Sequence, residues 1–212
     1  MAKEGYPFIF AFLIPSLICG VTLLWIPHPL VFGALGVFVF LTLFMLWFFR
    51  DPERVIPTDP KAVVAPADGK ITRVIKVEPA NPNSPTLVSI FMSPLDVHVN
   101  RAPINGTIRE VTHTKGQFLN AMDDRASLLN EQNTITLTNG SLTIVMKQVA
   151  GFLARRCVFW KTPGETVVLG ERVGLIKFSS RADLILPPEV EVTITPGERV
   201  YSGSTIIGRI TS

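Results

Sequence analysis

The distribution of apolar residues divides the chain into two unlike parts. From Tyr6 to Phe49 there is no Asp, Glu, Lys or Arg, and two apolar runs, Phe8 to Ile26 and Leu30 to Phe49, are separated by Pro27-His28-Pro29. Each run is long enough to cross a hydrocarbon layer of roughly 30 Å as a helix. The prolines predict a turn at 27–29, since each removes a backbone donor and disfavours helix in the residue before it. This pattern predicts a transmembrane helical hairpin over residues 1–50, with one spanning helix plus an interfacial segment as the alternative. Lys3 at one end and Arg50 and Arg54 at the other favour both ends lying on the cytoplasmic side. Trp25, Trp47 and Phe48-Phe49 fall where interfacial aromatics are expected.

Beyond residue 50 the pattern changes to short β-type runs punctuated by Gly, Pro and Asn. Asp51-Pro52-Glu53-Arg54 and Ile56-Pro57-Thr58-Asp59-Pro60 make a proline-rich exit from the apolar segment. Strands are predicted at 62–65, 70–77, 86–92, 106–113, 133–138, 142–150, 156–160, 172–179, 184–186, 190–194 and 204–210, with a helix only around 120–130. Residues 51–212 therefore read as one mainly β domain. Thr162-Pro163-Gly164-Glu165-x-Val167-x-x-Gly170 recurs as Thr195-Pro196-Gly197-Glu198-x-Val200-x-x-Gly203, and each copy runs into a Gly-x-Ile strand, at Gly174 and Gly208. Pro-Gly supplies a turn with positive φ at Gly. Such turn pairs resemble the hammerhead units of the biotinyl/lipoyl-like barrel-sandwich fold, and Asp68-Gly69 after Ala65-Pro66-Ala67 looks like a related turn.

Composition narrows the classes. The chain of 212 residues is 47% hydrophobic and only 17% charged, against about 25% charged in an ordinary soluble domain. A net charge of +3 is too small for a nucleic-acid footprint. Cys19 lies in the apolar stretch and Cys157 in the β domain, so no internal disulfide is expected and a reducing, cytoplasm-facing domain fits. No group of His, Cys, Asp and Glu has zinc-ligand spacing, so no metal is expected. His98 and His113 are the two histidines outside the apolar segment.

Five motifs occur in order: Phe49-Arg50-Asp51-Pro52, Pro66-Ala67-Asp68-Gly69, Asp96-Val97-His98 with Pro103 following, Ala154-Arg155-Arg156, and Gly174-Leu175-Ile176-Lys177-Phe178-Ser179-Ser180-Arg181. With them the sequence resembles the short, bacterial-type phosphatidylserine decarboxylases over nearly its whole length. The resemblance implies a membrane enzyme whose cofactor, a pyruvoyl group, is made from its own backbone by serinolysis. It places that serine at Ser180, with self-cleavage between Ser179 and Ser180 giving a β chain and an α chain. Asp68 and His98 match the positions of the Asp and His that serve with the serine. The implied reaction converts phosphatidylserine to phosphatidylethanolamine on the cytoplasmic side of the inner membrane, in a protein that by analogy forms homodimers.

Two departures accompany the resemblance. Longer-chain members carry a second His where this chain has Arg101, which leaves His113 as a reserve candidate. The family has Gly before the reactive serine, and Ser179 stands there; either Ser179-Ser180 still cleaves or the chain persists as a proenzyme. Arg101, His113, Arg155 and Arg156 are candidates for substrate binding, with Arg155 and Arg156 the ones suited to the lipid phosphate. Gly203-Ser204-Thr205 imitates a cleavage sequence, but Gly203 is accounted for by the turn repeat. The competing reading is a non-enzymatic, membrane-anchored adaptor built on a biotinyl/lipoyl-like domain.

Overall fold

The computed structural model describes residues 1–212 apart from 124, 141, 153–155, 178–179 and 212. The chain divides into two compact units, Met1–Pro52 and Glu53–Ser212. In the first, a 3-10 turn at Lys3–Gly5 leads into α1 (Tyr6–Leu23), followed by α2 (Pro29–Phe48). Both are long and apolar enough to cross a membrane. The second helix starts where the prolines require: Pro29 has no N–H to leave unsatisfied, and the His28 ring accepts the Leu30 N–H at 3.3 Å. Ala2 N–H donates to the Phe49 carbonyl at 3.0 Å, so the hairpin brings its two ends together. Phe10, Ile14, Leu17, Phe40 and Leu43 point outward. Trp25 is exposed as expected, but Phe48 and Phe49 are buried. They are packing residues, because Gly5 lets the Phe49 ring lie against the start of α1, where a Cβ would meet it.

The second unit is mainly β. Its first strands are β1 (Ala62–Val64), β2 (Gly69–Lys76), β3 (Thr86–Met92), β4 (Val99–Arg101) and β5 (Gly106–Thr114), followed by a one-turn helix α3 (Ala126–Leu129). Then come β6 (Gln132–Asn139), β7 (Leu142–Ala150), β8 (Cys157–Phe159), β9 (Thr166–Val167) and β10 (Arg172–Ile176). The last four are β11 (Ser180–Leu186), β12 (Val190–Val192), β13 (Arg199–Val200) and β14 (Ile206–Ile210). Among the described residues, eight strands form one antiparallel sheet in the order β13-β2-β3-β11-β7-β6-β5-β9, and there are two three-stranded sheets, β1-β14-β12 and β4-β10-β8.

That order has an internal twofold lying between β11 and β7. The repeated turns sit in equivalent places. Gly164 N–H bonds the Ile108 carbonyl at 2.7 Å, and Gly197 N–H bonds Ile71 at 2.8 Å. Gly170 N–H reaches Ala102 at 2.9 Å, and Gly203 N–H reaches Ala65 at 2.8 Å. Gly170 and Gly203 have φ of 75° and 76°, a region that glycine enters without steric cost. The two halves also exchange bonds across the axis: Val64 N–H to Pro103 O and Arg101 N–H to Pro66 O, both 2.9 Å. Val63, Ile71, Ile90, Ile108, Leu137, Ile144, Met146 and Leu184 belong to the shared core.

Within the β unit three expectations change most. The strand expected at 172–179 ends at Ile176, with 178–179 outside the described residues, and the one expected at 184–186 begins at Ser180. Arg181 and Asp183 hid it, since two charges in a strand read as surface. Both are buried and paired at 3.0 Å. The helix expected at 120–130 shrinks to one turn, because Arg181 draws the Ala121 carbonyl to its guanidinium at 2.9 Å and that of Asp123 at 3.1 Å.

Candidate active site

Ser180 opens β11, the strand between β3 and β7, where it pairs with Met92 on one side and Ala150 on the other. Alternation along β11 puts Ser180 on the same face as the core residues Ala182 and Leu184. Its side chain is fully buried, and its hydroxyl rests on the Met92 sulfur at 3.4 Å. A thioether is a weak acceptor, so the hydroxyl keeps a proton available to a stronger base.

His98 precedes β4, and its carbonyl accepts the Ile176 N–H at 3.3 Å, which continues the β4–β10 pairing. The imidazole is buried, with Nδ1 2.9 Å from the Asp96 carbonyl. A carbonyl only accepts, so Nδ1 carries the proton and Nε2 is the basic nitrogen. The Asp96 carboxylate is itself held by the Ser93 N–H at 2.8 Å and by Arg199.

Asp68 sits in the turn before β2. One oxygen takes the Ser202 N–H at 2.8 Å and the other takes the Arg54 guanidinium at 2.7 Å. Burial pushes this carboxyl above its usual range, while the Ser202 N–H and Arg54 pull it back. The Pro66 carbonyl, two residues earlier, receives Arg101 N–H, Asn100 Nδ2 and Ser202 Oγ. The Asp68 turn is thereby pinned to the strand that follows His98. Asn100 Nδ2 also lies 4.0 Å from the Met92 sulfur, where the Ser180 hydroxyl ends.

Residues 41–208 match the phosphatidylserine decarboxylase family. This chain belongs to it. A protein of Solibacter usitatus named phosphatidylserine decarboxylase proenzyme is 50% identical over 185 residues, 87% of this chain and 86% of that one. Relatives of the same name from Pelobacter propionicus and Chlorobium phaeobacteroides are 42% identical over 99% of this chain and 96% of theirs, and 51% identical over 79% of each. The protein is thus a decarboxylase of a family that uses a pyruvoyl group.

The remaining sequence candidates of this decarboxylase fall elsewhere. His113 and Arg156 line a cavity of about 410 Å³ with Glu131, Asn133, Cys157 and Phe159. Burial pushes the Cys157 thiol up to about 12, so at neutral pH it is no nucleophile. Arg101 is buried and gives Nη1 to the Gly170 carbonyl at 2.9 Å, bracing the turn repeat. Ser179 and Arg155 lie outside the described residues. Sequence reasoning missed Arg54, Met92 and the Asp96 carbonyl as partners of the three candidates. Arg54 stands in the proline-rich stretch after the apolar segment, and nothing local ties it to Asp68.

Proposed function

We propose that this chain is a proenzyme that cleaves its backbone between Ser179 and Ser180 and then converts phosphatidylserine to phosphatidylethanolamine at a membrane held by the α1–α2 hairpin. The observation that carries this reading is the buried Ser180 hydroxyl, resting on a thioether beside the strand that follows His98. The names of its relatives supply the substrate and the word proenzyme.

The residues fit a self-made carbonyl group. Ser180 is shielded from water, at the end of a strand that pairs with neighbours on both sides. Ser180 Oγ adds to the carbonyl of residue 179, and His98 Nε2 takes the hydroxyl proton and returns it to the departing nitrogen. The peptide becomes an ester. Elimination across Cα–Cβ of residue 180 releases the carboxyl of residue 179, and hydrolysis with loss of ammonia leaves the α-keto group. Asp68 contributes negative charge that favours the imidazolium, while the Asp96 carbonyl fixes the ring. A pyruvoyl group at this position supplies the electron sink for the carbanion left when CO2 departs. Its α chain, 180–212, stays in place because β11 pairs with β3 and β7, and β14 with β1.

The turn repeat supports a barrel-sandwich relative of the biotinyl/lipoyl domains, and the joined ends of the hairpin support a domain on the cytoplasmic side. Arg155 and Arg156 are the proposed phosphate ligands, and a homodimer is the proposed assembly. Ser179 in place of Gly makes maturation slow, since a β-carbon narrows the backbone conformations open to the shifting peptide.

Intact-mass analysis before and after borohydride reduction tests this reading. Two fragments divided between 179 and 180, with a reducible carbonyl on the smaller, are expected. A chain that stays at 23.3 kDa and still fails to divide after Ser179→Gly would overturn it.

A further inference from the structure

A row of side-chain hydrogen bonds crosses the inner face of the β unit. His113 Nδ1 meets Asn133 Oδ1 at 2.8 Å, Asn133 Nδ2 donates to Gln148 Oε1 at 2.9 Å, and Gln148 Nε2 donates to Asn100 Oδ1 at 2.9 Å. Asn100 Nδ2 ends the row on the Pro66 carbonyl at 3.3 Å. That carbonyl can only accept, so it orients Asn100, which orients Gln148 in turn. The second proton on Gln148 Nε2 goes to the Val158 carbonyl at 3.1 Å. Asn100 and Gln148 are completely buried. Gly174 makes room for the amide, since a Cβ there would stand 2.9 Å from Gln148 Nε2.

Buried amides often do no more than stitch strands together. The twofold supplies a control against that explanation. His113, Asn133 and Gln148 are register partners across β5, β6 and β7; Lys76, Thr86 and Leu186 are register partners across β2, β3 and β11. Asn100 faces Gly174, as Val63 faces Gly208. The same backbone therefore closes on Val63 and Leu186 in one half and on Asn100 and Gln148 in the other. The fold does not require amides here.

What distinguishes the polar half is its position. Asn100 lies two residues beyond His98, on the same side of an extended segment, and its amide approaches the Met92 sulfur on which Ser180 rests. Gln148 faces Ala182, two residues beyond Ser180 on the same face of β11. We propose that Asn100 and Gln148 are positioning residues, locking the strand after His98 onto β7 and β11 so that the imidazole presents Nε2 to Ser180. The inference rests on reading His98 and Ser180 as the reacting pair.

The test uses the full chain in detergent micelles, with Asn100→Val/Gln148→Leu, which copies the other half, and Gln148→Met, which keeps the volume and removes the bonds. In a Ser180→Ala background, 15N-histidine NMR reads the His98 tautomer without any cleavage. The background alone should show His98 as a single Nδ1–H form, and both variants should show mixed or exchange-broadened forms in a chain that still unfolds cooperatively, at a lower midpoint because Asn133 Nδ2 and the Val158 carbonyl lose their partner. With Ser180 restored, division between 179 and 180 should slow by about ten- to a hundredfold, the scale of a small misplacement of reacting groups. An unmoved His98 spectrum with unchanged division in whichever variant folds overturns the inference. If the parent never divides but His98 responds, the positioning inference stands and the self-cleavage reading falls.

Discussion

In one half of the β unit the turn oxygen of Asp68 receives the Ser202 N–H at 2.8 Å; in the other, Asn105 receives the Leu169 N–H at 2.8 Å. The sequences around them, Ala65-Pro66-Ala67-Asp68-Gly69 and Ala102-Pro103-Ile104-Asn105-Gly106, correspond residue for residue in position. As a turn, Asp68 therefore does nothing that an amide cannot do. What it adds is charge, at a site where burial works against charge and the Ser202 N–H and Arg54 offset it in part. Ser180 stands in the same relation to its counterpart. It faces Met92 on β3, as Leu142 faces Asn139 on β6. The comparison separates what the fold needs from what the chemistry needs, because each half acts as a control for the other.

The largest expected effect comes from exchanging the turn residues. Asp68→Asn keeps the Ser202 bond and removes the charge, and should slow division between 179 and 180 by at least about a hundredfold. Its melting midpoint at pH 7 should not fall. The folded pKa of Asp68 is raised, so ionisation opposes folding once the pH exceeds the unfolded value, and the neutral isostere escapes that cost. Asn105→Asp should leave division unchanged, and a loss there equal to that of Asp68→Asn would break the comparison.

Leu186→Gln tests the same contrast through stability. It places an amide in the half that has Val63 opposite and no polar row to receive it. Denaturant unfolding should show a loss of about 3–5 kcal/mol, combining lost apolar burial with an unsatisfied amide. A loss below about 1 kcal/mol would mean that the two halves are equally permissive, which removes the control used for Gln148.

Arg54→Met sharpens the electrostatic side. Without the guanidinium the Asp68 carboxyl rises further, so the acid limb of the division rate should move to higher pH while the rate at its plateau changes less. The smallest effects belong to features that the halves share. Glu165 accepts from the Thr162 N–H and hydroxyl as Glu198 does from those of Thr195, and these bonds hold both carboxyls below their usual value. Their stabilisation is therefore present above the unfolded pKa and lost as the pH falls through the folded one. Glu165→Gln and Glu198→Gln should each flatten the acid side of a stability–pH curve, Glu165→Gln slightly more because Lys161 also lies 3.5 Å from that carboxylate.

Much of this architecture was legible along the chain. The two apolar runs became two helices with their break at Pro27-His28-Pro29, where Pro29 starts the second helix, while Pro15 is carried inside the first. The Thr-Pro-Gly-Glu repeat became equivalent turns because positive φ and a local Thr–Glu bond are encoded within four residues. The candidate residues Ser180, His98 and Asp68 were found through motif order, and all three are buried in the β unit. Less was legible where partners lie far apart. No local pattern shows that Arg181 reaches the carbonyls of Ala121 and Asp123 from inside a sheet, or that Arg54 meets Asp68.

The sequence by itself determined the division into an apolar hairpin and a β domain, the places of the repeated turns and the family motifs. Each of these depends on neighbouring residues, through helix length, proline geometry or the conformations open to glycine. Only the tertiary structure decided that the two turn units are halves of one twofold arrangement, that Met92 underlies Ser180, and that Asn100 and Gln148 replace Val63 and Leu186. Those facts arise from strands paired across 30 or more residues of chain, where register and burial, not local preference, determine which side chains meet.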